Sequence, residues 1–218
     1  MRLGVRALRV FPLLLITQLV PTSVSGQSLE TRFWAWFQQH DSALFAVKSG
    51  TEPVCDELSE QLHRISPDLT FELGPVQSGK REFVISADGV REAFPAVLAL
   101  GAAAPALVHW TIIRFRPPRP DVTQIQLAAV HLDADSVEFL AEPDGDRTGL
   151  TISVPNYKPT PEHAYEQGVY LLLDGMLGEY TVETAVGFVE TVAPVGRRPG
   201  HWRPLTQIQQ VVKLRQPN

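Results

Sequence analysis

Cysteine is almost missing: Cys55 is the only one in 218 residues. That excludes a disulfide framework and any zinc site built from several thiolates. Long apolar runs are scarce as well. The greasy stretch from Val10 to Val20 is interrupted by Pro12, Thr17 and Gln18. It falls well short of the ~20 residues that cross a bilayer, so no integral membrane span is expected. The histidines at 40, 63, 109, 131, 163 and 201 form neither HxH nor HExxH. Without convergent ligands no metal site is read from them, and no cofactor is implied. The G-x-S-x-G elbow of serine hydrolases is absent. Acidic residues are missing from both ends, residues 1–26 and 193–218.

What is present begins with an address. Arg2, Arg6 and Arg9 precede the apolar stretch, Pro21 breaks it, and the small residues of SVSG follow. A basic head, a short apolar middle and small residues at the cut are the features of a secretory signal. Cleavage after Gly26, with Val24 at the other small-residue position, leaves Gln27 as the new N-terminus. The expected location is then periplasmic or secreted; the alternative is a cytoplasmic protein whose start lies near Gln27. Losing three arginines takes the net charge from −5 to −8. All 24 acids fall in residues 27–192, whereas residues 193–218 hold five basic residues. The expected organisation is a leader over 1–26, one domain over 27–192 and a basic tail over 193–218 that folds back on the acidic body. An acidic body repels phosphate backbones, so nucleic acid is not expected as a partner.

Apolar residues make up 44% of the chain and recur throughout, which suits a folded core rather than disorder. Phe33, Phe37 and Leu44 recur at near-helical spacing over Ser28–Val47, with a break near Asp41-Ser42. Thr51 and Pro53 open a second helix carrying Val54, Leu58, Leu62 and Ile65 on one stripe. Alternation then replaces the helical period: Leu69–Leu73 and Glu82–Ser86 predict a hairpin. Ala93–Ala106 reads as a helix starting near Pro95. Strands are expected at Trp110–Arg116, Gln124–Leu132, Val137–Ala141, Leu150–Val154 and Val186–Val192. Thr160-Pro161 opens a long helix to Leu177, and a weaker helix covers Leu205–Leu214. Consecutive strands flanked by helices predict an α+β fold, with a largely antiparallel sheet of about six or seven strands packed by N-terminal, central and C-terminal helices.

Several motifs bear on chemistry. Gly74-Pro75-Val76-Gln77-Ser78-Gly79-Lys80 matches most of a phosphate loop, but Arg81 stands where Ser or Thr belongs. An alternating strand follows instead of a helix, so the segment is a hairpin loop. Asp88, in Ile85-Ser86-Ala87-Asp88-Gly89, is either a strand-end ligand or base, or a turn residue with Gly89 supplying a positive φ. Asp174 interrupts the apolar run Leu171–Leu177. It is either a desolvated, proton-holding acid or a solvated or salt-bridged one. Arg114 and Arg116 alternate on one strand and so share a side. Together they clamp an anionic group or pair with Glu138 or Glu142. In FWAWF, four rings in five residues cannot all face one core, so Trp36 is expected to be partly exposed. His131 is expected in the core. Cys55, at a helix start, is either a thiol of lowered pKa or a buried small hydrophobe.

FWAWF, ISADG, IIRFRPP and LLLDGMLGEY together resemble a family of uncharacterised bacterial proteins carrying FWxWF, ISADG, FRP and LLLDxxLGEY blocks in this order. The resemblance spans roughly residues 33–192 and implies no activity. The residues themselves favour a non-catalytic binding module with Arg114, Arg116 and Trp36 as its patch. Its partner is then an unidentified protein or an anionic small ligand. The alternative is a hydrolase using Asp88 and Asp174, with or without a metal ion.

Overall fold

In the first helix, α1 (Leu29–Gln39), the Ser28 hydroxyl accepts the Thr31 amide at 3.2 Å and closes the N-terminus. Phe33, Trp34 and Phe37 point inward and are buried. The chain breaks at His40 and resumes as α2 (Asp41–Phe45), so the expected interruption is present. A third helix, α3 (Pro53–His63), is capped by Glu52 rather than Thr51. The Glu52 carboxylate accepts the Lys48 and Ser49 amides at 2.7 and 3.2 Å. These bonds hold it down at about 2.

The computed structural model describes residues 27–119, 121, 123–127, 130–159, 163–194 and 200–217. The leader over residues 1–26 and the expected helix opening at Thr160-Pro161 lie outside them. Strands β1 (Thr70–Leu73) and β2 (Arg81–Ser86) pair antiparallel as the expected hairpin. The phosphate-loop look-alike is its turn, with Ser78 and Gly79 at positive φ and Gln77 bridged to Lys80. Arg81 is 6% exposed and donates to the carbonyls of Gly74, Leu44, Phe45 and Val47 at 2.7–3.0 Å. It seals the C-terminal end of α2, where helix carbonyls lack partners.

From β2 the chain runs through α4 (Phe94–Ala102) and returns as β3 (Trp110–Arg114), parallel to β2. The second half repeats that plan. A separate hairpin, β4 (Gln124–Leu127) with β5 (Val130–Asp133), comes first. Then β6 (Glu138–Asp144) and β7 (Arg147–Ser153) pair antiparallel. Helices α5 (Ala164–Leu177) and α6 (Glu179–Ala185) follow, and β8 (Val186–Val192) returns parallel to β7. A hairpin, a helical crossover and a third parallel strand thus occur twice, with no matching repeat in the residues.

The α+β class is present, but the single, largely antiparallel sheet is not. Among the described residues there are three sheets, ordered β1-β2-β3, β4-β5 and β8-β7-β6-β9, where β9 is Arg203–Pro204. The physical reason is the crossovers: a strand reached through a helix enters parallel, and each such unit closes over its own core. Gln124–Leu132, expected as one strand, is itself a hairpin. Buried apolar residues form two clusters. Phe33, Phe37, Leu58, Phe83, Val97 and Trp110 belong to the first. The second gathers Leu132, Phe139, Ile152, Val169, Leu173 and Met176.

The basic tail is built into that second core through Leu205, Ile208 and Val212. Its expected helix is a 3-10 turn over Leu205–Gln210. Arg215 folds back, as expected, but onto carbonyls and the Thr181 hydroxyl rather than carboxylates. His131, expected inside, is exposed. Among the described residues no helix is long and apolar enough to cross a membrane.

Candidate functional site

The two halves meet where the chain leaves β3. Phe115 has φ +65°, a left-handed conformation unusual for an aromatic residue. Its amide donates to Ile85 O at 2.7 Å, and its ring, 1% exposed, packs against Phe94 and Tyr180. This turn ends the alternation that placed Arg114 and Arg116 on one side. Arg114 lies against α4 at Gly101 and donates to Pro217 O at 3.3 Å. Arg116 runs instead among acids contributed by both halves. The ion-pair partners of Arg116 are Glu72, Asp88 and Asp174.

Glu179 anchors this junction. It is completely buried, at the first position of α6. Its Oε1 accepts the Ala87 and Gly89 amides at 2.9 and 3.3 Å. Its Oε2 accepts the Arg116 amide at 3.0 Å, and its own amide donates to Arg116 O at 3.0 Å. One carboxylate therefore ties the turn after β2, the segment after β3 and the α5–α6 corner together. Gly178 allows the approach: at φ +78°, an added Cβ would lie 2.8 Å from Pro118 Cδ and 3.1 Å from Arg116 O.

Around that knot sits the charged group of interest. Arg116 donates from Nε to Glu72 at 2.6 Å and from Nη1 to Asp88 at 2.8 Å, with Asp174 Oδ2 3.9 Å away. Burial alone depresses the Arg116 guanidinium, but the bonds to Asp88 and Glu72 outweigh it and raise its pKa. Asp174 is pushed up to about 7, by burial first and by the nearby Glu179 charge second. Arg116 opposes the rise, while Glu183 and Asp88 add to it. Glu183 is raised too, chiefly by burial, against the pull of Arg91.

Asp88 fits the turn geometry, with φ +50° followed by Gly89 at +78° and a Val90 amide bonded to Ala87 O. Its side chain is still 61% exposed and faces Arg116. Asp88, Arg116 and Asp174 line a cleft of about 610 Å³, with Leu127, Tyr170, Leu171, Glu166 and Glu183 as further walls. Asp88 and Asp174 are thus brought together through Arg116, across more than eighty residues of chain.

Trp36 lies elsewhere. It is half-buried on α1 and stacked on His40 with ring centres 4.4 Å apart. The cleft does not include it, nor Arg114. Cys55 is buried in the first turn of α3, and burial pushes its thiol up rather than activating it. No group of three or more His, Cys, Asp or Glu side chains among the described residues is placed to hold a metal ion.

Sequence reasoning missed Glu179, Glu183, Glu72 and Tyr170. One signal was available for Glu179: like Asp174, it interrupts the apolar run of LLLDGMLGEY. The blocks ISADG, FRP and LLLDGMLGEY meet at this junction, contributing Asp88, Arg116, Asp174 and Glu179. Compared with family models, with curated proteins and with solved structures, the chain gives no match.

Proposed function

We propose that the chain is an exported, non-catalytic binding module whose ligand enters the cleft beside Arg116. The observation that carries this is the cleft itself. Its volume of about 610 Å³ falls in the range of small-molecule sites. Tyr170 and Leu171, 43% and 37% exposed, leave apolar surface uncovered in its wall, next to a few convergent polar groups. That mixture of apolar wall and fixed charge is what a ligand pocket offers. The knot at Glu179 supports the wall rigidly, because three backbone amides hold its buried carboxylate.

Amide-resolved NMR with a panel of small ligands tests the proposal. Shifts concentrated at Asp88, Gly89, Tyr170 and Asp174 support it; shifts scattered over the surface, or at Trp36 and Arg114 alone, overturn it. Export rests on the order of Arg2, Arg6 and Arg9, the apolar stretch and SVSG. Intact mass of the mature protein, beginning at Gln27, is the corresponding check.

A second reading, a hydrolase using Asp88 and Asp174, draws on one observation. A carboxyl held at about 7 is poised to give and take a proton at neutral pH. Against it, Asp88 is bonded to Arg116 and lies in a turn. Turnover of ester, amide or glycoside substrates, lost in Asp174→Asn and showing a pH limb near 7, would favour the enzyme.

A further inference from the structure

We propose that the ligand of this cleft is a small organic cation, an ammonium or guanidinium group carried on an apolar arm. The inference rests on the binding reading above and names its ligand class. It replaces the anionic ligand expected from the arginines alone.

The charges in the cleft decide the class. Among the described residues, Asp88, Glu166, Asp174 and Glu183 line it, against the one guanidinium of Arg116. That guanidinium is already engaged by Glu72 and Asp88. Arg91 lies 3.8 Å from Glu183, and His163 lies 4.0 Å from Glu166. An incoming anion would find Arg116 occupied and several carboxylates facing it. A cation would find four acids, Asp88, Glu166, Asp174 and Glu183, set against two guanidinium groups, those of Arg116 and Arg91.

Two further features fit a cation with an arm. Glu166 Oε2 is shielded from solvent and accepts no hydrogen bond, while Oε1 takes the Tyr157 hydroxyl at 2.7 Å. Leu127, Tyr170 and Leu171 provide apolar wall for the arm. Burial first, then the charges of Glu179, Glu183 and Asp88, leave Asp174 holding its proton near neutrality against the pull of Arg116. A bound cation takes over the role of that proton. The complex therefore forms with the Asp174 carboxyl ionised and the proton released to solvent.

Titration calorimetry on the folded chain at pH 7, in two buffers of different ionisation heat, tests this. The probes are 1,6-diaminohexane and agmatine as cations, adipate as a dianion and 1-hexanol as a neutral arm. The cations are expected to bind with release of about half a proton, since Asp174 titrates at about 7. Affinity should rise between pH 6 and 8. Asp174→Asn should weaken cation binding about tenfold and remove the proton release, given the usual strength of a charged hydrogen bond. Tyr170→Ala should weaken it several-fold while the melting curve shows the chain still folded.

Binding of adipate or 1-hexanol as tightly as the cations overturns the cation class and leaves the binding reading standing. Cation binding unchanged in Asp174→Asn overturns its placement in this cleft. No binding by any probe at millimolar concentration overturns both.

Discussion

Replacing Glu179 by Gln keeps the shape of the side chain and removes its charge at the point where the two halves are tied. In the native chain three backbone amides converge on the carboxylate, from Ala87, Gly89 and Arg116. A glutamine oxygen can retain the pair from Ala87 and Gly89 at the Oε1 position. Its NH₂ group then faces the Arg116 amide, donor against donor. One charge-assisted bond is lost outright, worth about 1.5–3 kcal/mol, and the other two weaken to neutral strength, roughly halving each. The total is a loss of about 3 kcal/mol. For a chain of this length, each kcal/mol moves the melting temperature by about 2–4 °C, so a fall of about 6–12 °C is expected. Urea unfolding should give the same loss through a lower midpoint with an unchanged slope. Glu179→Ala, which leaves three amides unpaired, should be worse. A melting temperature within about 2 °C of the parent for Glu179→Gln would refute the claim that this carboxylate holds the junction.

The other predictions concern the same junction and the arginine that closes α2. Asp174 has a folded-state pKa of about 7 against an ordinary 3.8, so the folded chain holds a proton the unfolded chain releases. Stability therefore falls as pH rises from about 4 to about 7, and Asp174→Asn should gain about 2 kcal/mol on the parent between pH 5 and pH 8, measured by paired thermal melts. Arg81→Met removes four bonds to buried carbonyls and should destabilise by about 3 kcal/mol, read by urea denaturation. Gly178→Ala meets both a positive φ and Pro118, and should lose about 2 kcal/mol by the same assay.

Local chemistry made the N-terminal half readable. Pro53 and the stripe of Leu58 and Leu62 marked α3, and the alternation on both sides of Gly74–Lys80 marked the β1–β2 hairpin. Trp36 emerged as the partly exposed ring of FWAWF because one helix face holds only so many aromatics. Legibility ended where distant segments decide the outcome. Gln124–Leu132 carries no Asn-Gly or Asp-Gly signal to betray its hairpin. Sheet membership depends on which core each crossover closes over, which no window of residues contains. Phe115 supplies the sharpest case. Its left-handed turn comes from packing against Phe94 and Tyr180, and it sends Arg116 away from Arg114. Asp88 and Asp174 were singled out individually, yet their meeting depends on that turn. Asp174 is desolvated because the segment after β3 docks on the α5–α6 corner, a contact between residues some sixty positions apart.

The cation assigned to the cleft displaces the proton of one carboxyl, so a carbon-13 NMR titration of the Asp174 side chain tests that claim most directly. The midpoint should lie near 7 in the free protein and fall by at least about one pH unit with saturating 1,6-diaminohexane. A midpoint near 4, or one that the diamine leaves in place, would contradict it.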